Sequence, residues 1–293
     1  MGENLGKIER NLVDDFIKQK SGFKRDEVKL GPGFGQDVSL VELPGEMALA
    51  MTSDPLSLIP GLGLEESAWL SVHLMTNDMA TTGFAPMYGQ FVLNLPASFS
   101  KSDFKLYWNH IHNFCQDIGI AITGGHTGFI DGQNSTIAGG GTLVSLAPKN
   151  RMKLSKNANV GDSILVTKSC AISSAAILAM SFSETVKNKV GTDTYRQACE
   201  SFYHTSSLKE ALTVMDGNAD KITAMHDVTE GGVLGAIYEM AVASNNGAQV
   251  HDELLPIQDI QKQVCDIFGL DPRFCVGAGS MIISRSEEHT SEL

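Results

Sequence analysis

Apolar residues open the chain at helical spacing, Leu5, Ile8, Leu12 and Phe16, with charges between them. That pattern predicts an N-terminal amphipathic helix. The next stretch, "KLGPGFGQD", is too rich in glycine for a helix or a regular strand and reads as a loop. "VSLVEL" and "MALAMTS" read as a strand pair around the turn "PGE". From Glu65 to Thr82, Trp69, Val72, Met75, Thr76 and Met79 share a helical face, and Gly83 is placed to stop that helix. "QFVLNLP" is a strand and "SDFKLYWNHIHNFCQDIG" a helix; "IAITGG" and "STIAGGGTLVSLA" are two further strands. The order strand-strand-helix-strand-helix-strand-strand predicts an α+β sheet covered on one face by helices.

The periodicity breaks at "PKNRMKLSKNANVGD", residues 148–162, which marks a domain junction. Beyond it come a strand "SILVTKS" and helices through "SSAAILAMSF", "DTYRQACESF" and "SLKEALTVM". "KITAMHD" is a strand, "EGGVLGAIYEMAVASNNG" a helix, "AQVHDELL" a strand, "IQDIQKQVCDIFG" a helix and "GSMIIS" a strand. The expected organisation is therefore a helix and arm over 1–30, one domain over 31–150 and a second over 160–284. Residues 285–293, "RSEEHTSEL", have no apolar periodicity and match the translation of a sequencing-library adapter. They are read as foreign, which leaves the second domain expected to be incomplete at its C-terminal end.

A chain of 293 residues with 42% hydrophobic content fits two globular domains with real cores. Twenty-two basic against 34 acidic residues give a net charge of −12, which argues against a nucleic-acid partner. A small phosphorylated ligand stays open, because divalent cations can bring it to an acidic site. The five cysteines form no C-x-x-C pair, no apolar leader opens the chain and no stretch is apolar enough to span a bilayer. A cytoplasmic protein without a membrane partner is expected.

Five short stretches carry candidate chemistry. In "GPGFGQD", Gly33 and Gly35 would let backbone amides approach an anion beside Asp37, although a plain flexible turn explains them as well. "TSDP" places Asp54 just after a strand, before a proline that prevents its continuation, so a turn carboxylate is the simpler reading. Asn77 and Asp78 lie in the last two turns of a helix, where the dipole disfavours an anion by roughly 0.3–1 kcal/mol. A partly covered Asp78 needs a cation, a donor or a proton, although a solvent-facing carboxylate beside Asn77 explains the pair equally well. "GGHTG" offers glycine amides, His126 and Thr127 together, yet a lone histidine is more often a structural hydrogen-bonder. In "MHDVTEGG", Asp227 and Glu230 form a D-x-x-E capping pattern, which leaves Gly231 and Gly232 unexplained. Glycines in a first helical turn cost about 1 kcal/mol each and leave N–H groups open to an anion. No Walker-type loop, dinucleotide fingerprint, zinc spacing or nucleophile elbow occurs.

Taken in order, "GQD", "TSDP", "TNDMATTGFAP", "GGHT" and "HDVTEGG" resemble the motif series of the aminoimidazole-ribonucleotide (AIR) synthetase superfamily. That superfamily includes the hydrogenase maturation factor HypE, thiamine-monophosphate kinase, selenophosphate synthetase and formylglycinamidine synthetase. The resemblance runs from about Leu30 to Ser284 and is nearest to the HypE-related branch. It implies a two-domain α+β fold, with N-terminal sheets pairing in a homodimer and a C-terminal α/β sandwich domain. It also implies ATP in a cleft between the domains and Mg2+ held by Asp37, Asp54, Asp78 and Asp227. By the same resemblance Asp78, His126 and Asp227 would serve catalysis. Gly33, Gly35, Asn77, Gly124, Gly125, Thr127, Thr229, Gly231 and Gly232 would contact the nucleotide.

Two departures stand out. His126 replaces an Asp frequent in the superfamily, which removes a metal ligand or puts an imidazole near the transferred group. Gln36 replaces another Asp. HypE itself ends in a cysteine tail whose carbamoyl group is dehydrated to a thiocyanate. The expectation is thus an ATP- and Mg2+-dependent, HypE-like enzyme acting on a small molecule or a protein thiocarboxamide, with a hydrogenase-maturation partner. The alternatives are a small-molecule kinase or synthetase with another acceptor, and a nucleotide-binding regulator without turnover.

Overall fold

The computed structural model describes residues 7–286. Its first element, α1 (Arg10–Leu12), continues through a π-helical turn (Val13–Ile17) and a 3-10 turn (Lys18–Lys20). Ile8, Leu12 and Phe16 stay about half exposed, so the apolar spacing makes a helical segment without burying its face. Leu5 lies outside the described residues.

The first half folds on a six-stranded sheet of β1 (Val28–Leu30), β2 (Ser39–Glu42), β3 (Met47–Ser57), β4 (Tyr88–Pro96), β5 (Ala121–Ile130) and β6 (Ile137–Pro148), in the order β1-β2-β3-β6-β4-β5. Only the β4–β5 pair is parallel. Helices α2 (Leu64–Ala80) and α3 (Lys101–Ile118) cover one face. Val72, Met75 and Met79 of α2 and Tyr107 and Ile111 of α3 pack there on Phe91, Leu93 and Leu143 of the sheet. Burial of each such side chain stabilises the layer by about 1.5–3 kcal/mol. Ser100 caps α3 by accepting the Asp103 N–H at 3.0 Å, and Gly119 ends it at φ 93°. Gly83, at φ 82°, follows the end of α2 as expected.

Two strands run further than their sequence suggests. β3 does not stop at Asp54 but passes through Pro55 to Ser57, with Asp54 opposite Gly141 and Pro55 opposite Gly140. β2 pairs with β3 only as far as Met51, so Pro55 sits where β3 has a single neighbour and a missing N–H is tolerated. β5 likewise continues through "GGHTG" instead of ending before it. Gly125 allows this: at φ 146°, a Cβ there would stand 1.8 Å from the Phe91 carbonyl oxygen.

The second half carries β7 (Ser163–Val166), α4 (Ile172–Ser181), α5 (Ser183–Glu200), α6 (Leu208–Met215), β8 (Ile222–Asp227), α7 (Gly232–Ala243), α8 (Asp259–Ile267) and β9 (Met281–Arg285). Its three strands lie in the antiparallel order β7-β9-β8. α5 begins ten residues before the expected helix and bends at Gly191 (φ 82°). The expected strand over 248–255 is absent, because the chain turns there with Leu254 N–H on His251 O, and Asp252 holds Arg273 at 2.7 Å. Arg285, assigned from sequence to the foreign tail, is the buried last residue of β9; residues 287–293 lie outside the described ones. Ala80 of α2 packs with Ala211, Met215, Met225 and Met281, which ties the two halves together.

Candidate functional site

Asp37, Asp54, Asp78 and Asp227 converge on one cavity of about 660 Å3. Asp37 comes from the loop between β1 and β2, Asp54 from β3, Asp78 from the last turn of α2 and Asp227 from the end of β8. Both halves of the chain thus contribute carboxylates to one space. Thr52 donates to Asp78 Oδ2 at 2.7 Å, which fixes that carboxyl from the neighbouring strand.

The carboxyl groups crowd one another. Burial, followed by Asp227, Asp54 and Asp37, holds Asp78 well above the usual carboxylate range, and the Thr52 bond opposes this only in part. Burial and then Glu230 push Asp54 up to about 6, against the pull of Lys7. Asp227 is raised to about 7 by burial and then by Asp37, with His226 and Lys7 acting the other way. A divalent cation relieves such repulsion by supplying the missing positive charge.

Behind the aspartates lies a chain of alternating charge that no single motif reveals. His226 Nδ1 stands 2.8 Å from Asp37 Oδ2, and its Nε2 stands 3.1 Å from Glu239 Oε2. Burial alone would lower the His226 pKa, but the two carboxylates outweigh it and raise the value to about 10. His226 is therefore an imidazolium at neutral pH and donates from both nitrogens. Ser155 Oγ adds a contact to His226 Nδ1 at 3.0 Å. The grouping of Asp37, His226 and Asp227 within 4.8 Å looks like a metal cluster. With both imidazole nitrogens engaged, however, its available ligands are carboxylate oxygens, the donor set that suits Mg2+.

Lys7 completes the chain: its Nζ lies 3.0 Å from both oxygens of Glu239 and 2.8 Å from Thr229 Oγ1. Burial would lower the Lys7 pKa, yet Glu239 holds it above the ordinary lysine value. For Glu239 the effect of burial is overcome by His226 and Lys7, and its carboxyl stays below the ordinary value. Glu239 is the single charged residue in the helix "GVLGAIYEMAVA". An isolated buried carboxylate on an otherwise apolar helix is the sequence signal that could have revealed this partner set.

Other candidate residues are placed differently. Thr229 lines the cavity. Asn77 is buried and points elsewhere: its Nδ2 donates to Thr205 O at 3.0 Å, and its Oδ1 accepts the Ser207 N–H at 2.8 Å. Gly33 and Gly35 do not line the cavity, although their neighbours Pro32 and Gln36 do, and a Cβ on Gly35 would meet the Glu239 carbonyl at 2.6 Å. The Asp227–Glu230 capping box does not form, since α7 starts at Gly232 with no side-chain cap. Gly231 and Gly232 instead carry φ of 89° and 64°, and a Cβ on Gly232 would stand 2.4 Å from Arg273 O. Their glycine identity thus answers a backbone turn and a close chain crossing. Gly124, Gly125, His126 and Thr127 of edge strand β5 line a separate shallow hollow of about 340 Å3 with Trp108 of α3, away from the four aspartates.

Residues 35–146 match the AIR synthase related protein N-terminal domain, and residues 159–293 match the AIR synthase related protein C-terminal domain. A hydrogenase expression/formation protein of Methanocaldococcus jannaschii is 26% identical over 293 residues, covering 97% of this chain and 81% of that protein. Carbamoyl dehydratase HypE of Azotobacter vinelandii is 23% identical over 253 residues, covering 85% of this chain and 70% of HypE. Among solved structures, AaThiL complexed with AMPPCP and TMP superposes with a TM-score of 0.73 at 18% identity, over 97% of this chain and 89% of that one.

Proposed function

The chain belongs to the AIR synthase related proteins, an enzyme superfamily, and on that premise we propose an ATP- and Mg2+-dependent enzyme of the HypE type. The observation that carries this reading is the convergence of Asp37, Asp54, Asp78 and Asp227, from both halves of the chain, on a single cavity. Their oxygens would hold Mg2+, which when bound neutralises charge on a polyphosphate. Thr52 would orient Asp78, and the His226 imidazolium would orient Asp37 while keeping its own nitrogens out of the ligand set. The reaction expected is transfer of the terminal phosphoryl group to a carbamoyl oxygen on a protein thiocarboxamide, which turns that oxygen into a leaving group. A hydrogenase-maturation partner would present or receive the carbamoyl group.

A second copy of the chain is the proposed partner of edge strand β5. Ten residues, Ala121–Ile130, run along that edge with almost every side chain exposed, a template for pairing when left uncovered. Phe129 on β5 and Val92 on the neighbouring β4 are exposed, at 52% and 39%.

The likeness to AaThiL, complexed with AMPPCP and TMP, supports a second reading, a small-molecule kinase. Release of ADP with Mg2+ present separates the two, with Asp78→Ala as control. Turnover with an S-carbamoyl-cysteine peptide supports the HypE-type reaction; turnover with thiamine monophosphate instead supports the kinase. No turnover with either acceptor contradicts both.

A further inference from the structure

Lys7 is the outer end of the alternating series Asp37, His226, Glu239, Lys7, and it differs from the inner members in two ways. The side chains of Asp37, His226 and Glu239 are 8%, 1% and 9% exposed, whereas that of Lys7 is 41% exposed. The inner members also depend on each other, because removing His226 would leave two buried carboxylates without their shared cation. Lys7 can leave at small cost. Glu239 would keep His226 at 3.1 Å, and a half-exposed ammonium on a flexible four-carbon stem loses little on moving.

Among the described residues lining the four-aspartate cavity, Lys7 is also the only basic one. It stands beside Thr229 and influences Asp54 and Asp227 electrostatically. The carboxylates there are suited to metal ions, so they offer a polyphosphate no direct hydrogen-bond donor. The Lys7 ammonium is the charged donor at hand, and lysine binds phosphate as a point charge.

We propose that Lys7 is a latch for the terminal phosphate of the nucleotide, an assignment that rests on the nucleotide reading above. When a Mg2+–nucleoside triphosphate enters, the ammonium leaves Glu239 and donates to the terminal phosphoryl oxygens. A diphosphate lacks those oxygens and leaves Lys7 on Glu239.

Calorimetric titration of the full chain with Mg2+–AMPPNP and with Mg2+–ADP tests this. Lys7→Met is expected to weaken AMPPNP binding roughly ten- to a hundred-fold, the range of a charged hydrogen bond. ADP binding is expected to change less than about three-fold, since a more distant exposed charge is screened. Lys7→Arg should recover part of the loss, and Glu239→Gln should leave AMPPNP binding as tight or tighter by freeing Lys7. A structural tether predicts instead that Lys7→Met and Glu239→Gln weaken both nucleotides alike, and that result overturns the latch. So does a Lys7→Met protein that binds AMPPNP as the wild type does, with the nucleotide reading left standing. If the wild-type chain binds neither nucleotide, that reading falls and takes the latch with it.

Discussion

His226 Nδ1 lies 2.8 Å from Asp37 Oδ2, joining the end of strand β8 to a loop 189 residues earlier in the chain. Both side chains are buried, and Glu239 holds the other nitrogen. His226→Gln removes the cation shared by two buried carboxylates and should lower stability by about 3–5 kcal/mol. The pH dependence has a definite sign. The His226 pKa rises from 6.5 to about 10 on folding, so its contribution is full below pH 6.5 and is lost as pH rises through about 10. Urea unfolding without Mg2+, from neutral to alkaline pH, should show a decline in the wild type that flattens in His226→Gln.

His73 predicts the opposite trend on the acid side. It stacks on Trp69 with ring centroids 3.7 Å apart, and its Nδ1 is buried without a partner. Burial lowers its pKa from 6.5 to about 4, so the fold holds it neutral while the unfolded chain takes up a proton. Its contribution is present above pH 6.5 and is lost as pH falls through about 4, a difference of roughly 3 kcal/mol at most. His73→Phe should reduce this acid sensitivity, measured as the change in melting temperature between pH 7 and pH 5.

Asp78→Asn should stabilise the Mg2+-free protein. The substitution removes a charge that burial and three neighbouring aspartates disfavour, while Thr52 can still donate to the amide oxygen. A gain on the order of 1 kcal/mol is expected, with loss of Mg2+-dependent stabilisation in the same variant. Differential scanning fluorimetry with and without Mg2+ checks both halves, and a destabilised Asp78→Asn protein would argue against mutual repulsion in the cavity.

Adjacent glycines on β5 should respond differently to alanine. Gly125→Ala places a methyl 1.8 Å from Phe91 O at φ 146°, whereas the nearest atom to a Cβ on Gly124 is 4.0 Å away. Gly125→Ala should cost on the order of 1–3 kcal/mol or more and Gly124→Ala close to nothing. Equal destabilisation of the two variants in chemical denaturation would contradict the close strand approach.

What the sequence made legible was local. The face of Trp69, Val72 and Met79 marked α2, and the Gly119 and Gly83 stops lie where helix-ending chemistry places them. The five motifs brought Asp37, Asp54, Asp78 and Asp227 into consideration, and all four line one cavity. Non-local pairing was out of reach: the lone carboxylate of Glu239 in an apolar helix signals that a partner is needed, but not that Lys7, 232 residues away, supplies it. Pro55 misled because it breaks a strand only where its N–H would be needed, which depends on how far β2 extends. Gly231, Gly232 and Gly125 looked like ligand cradles because glycine marks any close backbone approach, and here part of that approach is protein on protein.

The four-aspartate cavity is proposed to bind a nucleoside triphosphate through Mg2+. Isothermal titration of ATP into the full chain, with Mg2+ and then with EDTA, tests it most directly, with Asp227→Asn as the companion variant. Saturable binding is expected with Mg2+, with loss of binding in EDTA and in Asp227→Asn. ATP binding that survives EDTA and Asp227→Asn unchanged, or no binding with Mg2+ present, would contradict the claim.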